Sequence, residues 1–511
     1  MTMITPGFFG LFNAQRGLTV AQNALSVVNH NISNANTPGY SRQRADITEY
    51  TAYAAPGLSQ LPGGQIGQGP WVSQITRSRD QFLDAQYRQA NGFYGLNTST
   101  QNALSQVEGI LNEPSTDGIN TTFQNFFDTA QELSIHPESM PVRSEFMQQA
   151  TDMVTVFQQQ AQQLVDLRKT LVGDPLDSNS FSTSQLAITA NEVNNKLASI
   201  VQLNQNIVSV KSSGAQPNDL LDQRDKLLDD LSKLVDIQVK SYDNGQIDVA
   251  IAGQNVIRGV DQTDSIQVVA NPGPTPTADD VPSLVKMANS GVVLNDGTGA
   301  ELGGGTLKGI SDMGGNSPNL STVRGVLGKL DTLLTTVVNQ VNTLQAAGRD
   351  LSGNLGTNPI FQTDATLNPG QPLAVFHWKT NAAIITNPSL LAAANNDATA
   401  TGNFSGQGDG RNALAMAKLR DQSFAGLGSN MVDYLNGVVS KLGIDGQAFQ
   451  DSSSAQQKLV NSVDLQRQSV SGVNIDEETI DLLRYQRAFE ASSKVISVLD
   501  QVTQTILGMV Q

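Results

Sequence analysis

The chain has no cysteine among its 511 residues. That removes disulfides, thiol catalysis and Cys-ligated zinc. It also suits a protein that crosses a compartment boundary unfolded, without forming stray bridges. Histidine is nearly as scarce. His30, His136 and His377 stand far apart, and none has the i,i+4 partner that an HExxH metal site supplies. Aromatic residues make up 5% of the chain and charged residues 15%, against 39% apolar. Modest cores under an amide- and hydroxyl-rich surface are expected. No run of about 18 apolar residues occurs, so no membrane insertion is expected. Basic residues are in deficit, 31 against 47 acidic, for a net charge of −16. With no clustered Lys/Arg face, the chain is expected to bind no nucleic acid, because a phosphate backbone would repel it. The opening MTMITPGFFGLFNAQRG lacks a basic segment and a continuous apolar core, so it is not a secretory signal peptide. GxSxG, P-loop and kinase signatures are missing. DLSGNLG, from Asp350, resembles the start of a calcium loop but has no Glu at the twelfth position, and it reads as a turn. The expectation is no catalytic residue, no metal and no cofactor.

What is present lies first at the two ends. Counting by sevens from Leu11 gives Leu18, Leu25 and Ile32; three residues after the first three come Ala14, Ala21 and Val28. This a/d pattern predicts an amphipathic helix with a narrow seam. Its other face reads Asn13, Thr19, Gln22, Asn23, Ser26, Asn29, and Arg16 is the one charged residue before Ser41. Such a face hydrogen-bonds without the cost of desolvating charge. At the far end, Asn474 with Glu477 suggests a capping box. A seam then runs Ile475, Leu482, Phe489, Ile496, with a second row Tyr485, Ser492, Leu499, Ile506. Ala488, Val495, Val502 and Met509 widen it. The matching periods predict that residues 1–45 and 472–511 pair as a coiled coil, marginal alone and stable among copies.

The first helix is stopped deliberately. NHNISNAN spends four asparagines in eight residues and leads into Thr37-Pro38-Gly39-Tyr40. Pro38 disfavours helix at Thr37, and Pro then Gly suits a type II turn. Asn34 and Asn36 tolerate turn geometry. A plain helix cap explains one or two of the four amides; the others can satisfy backbone groups at the helix end or cross to a neighbouring molecule.

Between the ends the pattern is mainly α with inserted β regions. Residues 46–80 read as an extended linker. Residues 81–235, 320–349 and 410–471 read as a helical domain, including helices over 144–171 and 184–210, and one stopped at Pro114. In NDLLDQRDKLLDDLSKL the leucines share a face, and Asp222–Lys226 and Asp229–Lys233 are spaced as i,i+4 pairs. Arg224 is placed at a bundle edge or against a carboxylate of another helix. Residues 236–319 alternate around Asn244-Gly245, a hairpin signal, and read as a β-rich insert with NPGPTPTADDVP as an exposed loop. Residues 350–409 read as a smaller β and loop insert.

LSVVNHNISNANTPGYSRQRADI and VNIDEETIDLLRYQRAFEASSKVISVLDQV resemble the terminal signatures shared by bacterial flagellar axial proteins. LSQVEGILNEPSTDGINTTFQNFFDTAQELSIHPESMPVRSEF, PNDLLDQRDKLLDDLSKL and GDGRNALAMAKL are similar to the hook-associated proteins of the hook–filament junction. The resemblance implies a non-enzymatic structural adaptor, extracellular in the flagellum and exported by the type III export apparatus without a cleaved signal. It implies an inner tube made of the chain ends, with the helical domain outside it and the β regions outermost. The implied partners are further copies of itself, the hook protein, a second hook–filament junction protein, and a flagellar export chaperone at the C-terminal helical region. On this reading Asn31, Asn34, Asn36, Pro38, Gly39 and Tyr40 set where the inner helix ends. Other expectations stay open: a hook or distal rod protein, or a cell-wall hydrolase or adhesin on the same scaffold, with 236–319 as its only site.

Overall fold

Helix α1 (Pro6–Asn34) leads through the 37–40 turn into strand β1 (Gln43–Glu49), which pairs antiparallel with β2 (Pro70–Arg77). The architecture is that of a computed structural model. It describes residues 6–51, 67–111, 118–174, 180–270, 283–295, 300–315, 322–364, 366–367, 373–397 and 405–510. Pro114 as a helix stop, the 271–282 loop and the middle of the 46–80 linker lie outside the described residues.

A helical body follows: α2 (Gln81–Leu111), α3 (Ile119–Ile135), α4 (Met140–Val172), α5 (Gln185–Ser212) and α6 (Asn218–Leu234). Helix α4 starts a turn earlier than its apolar pattern suggests, because Pro141 at its start needs no N–H partner there. Helix α5 is capped by Ser184, whose hydroxyl accepts from Ala187 N at 3.2 Å. Next come β3 (Ile237–Ser241), β4 (Ile247–Ile251), β5 (Gln254–Arg258) and β6 (Asp261–Gln262), a four-stranded antiparallel meander with β3 at one edge. Its first turn has Gly245 at φ +88°, as the Asn-Gly pair suggests. β7 (Ile266–Ala270) pairs with β8 (Ser283–Met287).

Residues 306–314, read from the sequence as part of the β insert, instead form α7 (Thr306–Gly314). Leu307, Ile310 and Met313 are buried there at helical spacing, a signal hidden by the surrounding glycines. Then come α8 (Val323–Ala347), β9 (Phe361–Thr363), β10 (Trp378–Thr380), α9 (Ala382–Thr386), α10 (Arg411–Lys418), α11 (Met431–Ser471) and α12 (Ile475–Val510). The helical pattern of 411–471 is thus two helices. Asn430 starts the second, its side chain accepting from Asp433 N at 2.7 Å.

One continuous core joins these parts. It includes Leu104 of α2, Phe126 of α3, Phe157 of α4, Val249 of β4, Val285 of β8, Val337 of α8 and Phe361 of β9. The scarce aromatics gather in it. Phe126 lies 5.1 Å from both Phe127 and Phe146, and 6.2 Å from Phe361, within range of favourable ring contacts. Asp350 makes the expected turn, its Oδ1 accepting from Ser352 N and Asn354 N. No described side chain of the terminal helices belongs to this core. α1 has a small cluster of its own, Ala24, Val27 and Ala45, against which Val72, Ile75 and Tyr485 pack.

Candidate assembly site at the joined chain ends

α1 and α12 run antiparallel and in register. A methyl group at Gly10 would touch Leu499 at 3.4 Å, and one at Gly17 would meet Ser492 Oγ at 3.0 Å. Tyr485 packs on the cluster containing Ala24, and Asn31 binds Glu478. Each step of seven residues up α1 is a step of seven down α12. The central row is therefore Gly10, Gly17, Ala24, Asn31, small residues that let the axes approach. The leucine row expected as the seam lies one residue further on. Leu11, Leu18, Leu25 and Ile32 are half-buried, whereas Ala14, Val20, Ala21, Ala24, Val27 and Val28 are buried. The shift has a physical cause. α1 packs against α12 on one flank and the β1–β2 ribbon on the other, so its buried stripe is wider than a coiled-coil seam. Apolar Val20 and Val27 outside the a/d positions were the available signal.

On α12, Leu482, Tyr485, Phe489, Ile496 and Leu499 are half-buried. Ile475 is 52% exposed and stands off the pair. The side chain of Ile506 lies outside the described residues. Ala488, Val495, Val502 and Met509, read as widening the stripe, are instead exposed, and so are Ile480, Leu483 and Val498; these apolar side chains point outward.

The turn has the expected geometry. Tyr40 N donates to Thr37 O at 3.1 Å, and Gly39 has φ +85°, which a side chain would strain. The asparagines divide their work. Asn34 Nδ2 donates to His30 O at 3.0 Å, closing the helix end, and Asn36 is exposed. Asn31 is 1% exposed and tied on every side. Its Nδ2 donates to Gln43 O at 2.8 Å and Glu478 Oε2 at 3.0 Å. Its Oδ1 accepts from Tyr40 OH at 2.8 Å and Gln43 N at 2.9 Å. One amide thus joins α1, the turn, β1 and α12. Burial, with Asp219, Asp222 and Glu478 nearby, pushes the Tyr40 phenol well above its ordinary range, so it stays a donor.

Several members of this knot were not foreseen. Glu478, 1% exposed, receives Arg42 Nε at 2.6 Å. Arg42 also holds Glu477 at 3.2 Å, so Glu477 serves an ion pair instead of the expected capping box. Asn474 alone caps α12, accepting from Asp476 N at 3.0 Å. Ser41 donates to Asp222 from its hydroxyl at 2.7 Å and its N–H at 3.0 Å. Asp222 also takes Arg77 at 2.6 Å, and Asp229 takes Arg88 at 2.8 Å and Arg467 at 2.7 Å. The expected Asp222–Lys226 and Asp229–Lys233 pairs are replaced, because arginine forks from three elements outcompete a flexible lysine. Arg224, expected at an edge or on a carboxylate, is 5% exposed and bonds Asn204 Oδ1 and the Gly245 carbonyl.

Among the described residues no group of His, Asp and Glu is placed to hold a metal ion, and no helix is long and apolar enough to cross a membrane. The site joins two chain ends, locks them to a helical body and leaves an apolar face outward. Its two terminal segments coincide with the stretches that match models of the flagellar axial class. Residues 11–40 match the model of the flagella basal body rod protein, and residues 466–509 that of the flagellar basal body rod FlgEFG protein C-terminal. Residues 104–361 match the flagellar hook-associated protein FlgK helical domain. Flagellar hook-associated protein 1 of Bacillus subtilis (strain 168) is 28% identical over 532 residues, covering 99% of each chain. Its namesake from Salmonella typhimurium LT2 is 27% identical, covering 97% of this chain and 99% of the relative. The solved flagellar hook junction protein FlgK of Burkholderia pseudomallei shares the fold, with 18% identity, a TM-score of 0.59, and coverage of 77% of this chain and 100% of that one. The chain belongs to the FlgK family of flagellar hook-associated junction proteins, and its role in the flagellum is structural.

Proposed function

We propose that the chain polymerises into a short layer between hook and filament and acts there as a mechanical adaptor. Its partners would be its own copies, the hook protein and a second junction protein. The observation that carries this is the outward face of α12. Ile480 and Leu483 near its start and Val495, Val498 and Val502 further along are exposed in the single chain, and exposed apolar patches mark contact surfaces. Leu11, Leu18, Leu25, Leu482, Phe489 and Ile496, half-buried within the pair, would complete their burial against neighbouring copies. The knot at Asn31 and the 37–40 turn would hold that contact face at a set angle to the body. Before assembly the chain would leave the cell through the type III export apparatus without a cleaved signal, with a chaperone on its C-terminal helices. The absence of cysteine suits such a passage. On this reading the chain catalyses nothing, and the purified protein should give no clearing on a peptidoglycan zymogram.

The test is a clean deletion, followed by electron microscopy of the cells and a blot of the medium for flagellin. Hooks without filaments, with flagellin lost to the medium, are expected. Missing hooks would move the protein down the axis to hook or rod, and normal filaments would end the structural reading.

A further inference from the structure

Helices α2 and α11 lie side by side and antiparallel. Arg467 Nε donates to Asp84 Oδ1 at 2.9 Å, and the hydroxyls of Ser453 and Thr98 lie 3.0 Å apart. Fourteen residues up α2 are thus fourteen residues down α11. To within a residue, Phe82 stands level with Val470, and Phe93 with Leu459. All four are exposed, Phe82 to 75%.

The four share one flank of the helix pair. On the other flank, Tyr87 and Tyr94 of α2 and Asn461 and Asp464 of α11 line a cleft against α6. Stepping round each helix away from α6 brings up the opposite faces. On α2 that face runs Phe82, Gln86, Gln89, Phe93, and every one of these is exposed. On α11 it runs Leu459, Ser462, Gln466, Val470, exposed throughout. Both spacings keep to one helix face. The result is a strip about 16 Å long, with an apolar pair at each end and amides and a hydroxyl between. Ile188 on α5 makes the contrast. Its exposed neighbours along the helix are Gln185, Asn191 and Glu192, and a lone exposed apolar residue is ordinary.

We propose that this strip docks a second copy of the chain, body against body. The proposal rests on the polymerisation reading above and adds a contact surface outside the terminal helices. Charge argues for a second copy. At a net charge of −16, two copies repel one another, and they approach at least cost where neither presents a charge. Every exposed residue of α2 from Gln81 to Phe93 is uncharged, so the strip offers a basic partner no acid and a like-charged copy no repulsion. Aromatic side chains enclosed by neutral polar groups are the usual make-up of a contact surface. Position argues the same way. Val470 lies at the end of α11, where Arg42 N donates to Ser471 O at 2.8 Å. The strip therefore ends at the joint with α12, whose first turns expose Ile475 and Ile480. A copy seated against α12 is placed to reach it.

The test uses two photocrosslinking probes in cells whose own copy is deleted, followed by irradiation of isolated flagella. Val498→p-benzoylphenylalanine, on α12, reports polymerisation by itself. Gln86→p-benzoylphenylalanine, between the two phenylalanines, reports the strip. Both should give a covalent dimer of this chain. A dimer from Val498 with none from Gln86, or a Gln86 crosslink to a different protein, would overturn the docking surface and leave polymerisation standing. No dimer from either would end both. As a second arm, the double variant Phe82→Ser with Phe93→Ser changes exposed side chains only, so its thermal melt should match the parent. It should raise the concentration needed for polymerisation about tenfold, the scale of one lost apolar contact. Phe82→Leu with Phe93→Leu keeps the apolar surface and should polymerise close to the parent. A serine variant that polymerises as readily as the parent would refute the strip.

Discussion

Asn31 spends both amide hydrogens and both acceptor positions on groups from three other elements. Leucine at that position would match its size and make none of these bonds. Glu478 would keep Arg42 and lose its amide, and the Tyr40 hydroxyl and Gln43 N–H would lose their acceptor. Leaving buried polar groups unpaired costs about 1–3 kcal/mol each. Asn31→Leu should therefore unlock the ends while the body stays folded. Hydrogen exchange should quicken across α1, β1 and the start of α12, with the α2–α4 amides unchanged. Uniform protection in the mutant would show that the knot does not hold the ends. That four amides are more than a helix cap needs was legible from the sequence; that Asn31 is the buried one was not. Nor were its partners, because Gln43 and Glu478 reach it through the turn and through pairing of the chain ends.

At the scale of elements, the α1–α12 contact depends on small side chains. A methyl at Gly17 already meets Ser492 Oγ at 3.0 Å, so a longer side chain must push the axes apart. Overpacking of this kind costs about 1–3 kcal/mol. Gly17→Leu should loosen the pair and weaken polymerisation, although leucine favours helix more than glycine does. A mutant that polymerises as well as the parent would refute the close-packed row. Helix α6 carries a second dependence. Burial alone would raise the Asp225 carboxyl, but Arg79, Arg77, Arg88 and Arg224 together hold it below 3.8. A lowered folded pKa contributes stability that is complete above the unfolded value and is lost as pH falls through the folded one. Taking the protein from about pH 5 to about pH 3 should therefore loosen α6 from β2 and α2. Exchange rates at the two pH values, corrected for intrinsic chemistry, would show it, and Asp225→Asn should remove most of the difference. The hairpin at Asn244-Gly245 and the long apolar period of α8 were readable locally. α7 was not, because nine residues between glycines hold too few turns for a period to stand out.

For the whole molecule, no described side chain of α1 or α12 belongs to the continuous core. A chain without residues 1–45 and 472–511 should keep its helical body and its main thermal transition, and should fail to polymerise. Calorimetry with sedimentation would check both halves. Loss of the transition would mean that the ends stabilise the body, contrary to the separation of the cores.

The sequence by itself determined that both ends are seven-residue-period helices, that the first stops at a Pro-Gly turn, and that the middle is helical with β insertions. Those are local matters: backbone preference at Pro38 and Gly39, and the spacing of apolar residues along one helix. Only the tertiary structure decided which row is central. One residue along a helix turns its face by about 100°, so a ribbon packed beside α12 was enough to move the centre from Leu11, Leu18 and Leu25 to Gly10, Gly17 and Ala24. Ion pairing was decided the same way. Asp222 and Asp229 have lysines one turn away in sequence, but folding brings in Arg77, Arg88 and Arg467 from other elements, with better geometry and less solvent. Arg224, buried on the Asn204 amide and the Gly245 carbonyl beside Asp225, is a position that no local pattern distinguishes.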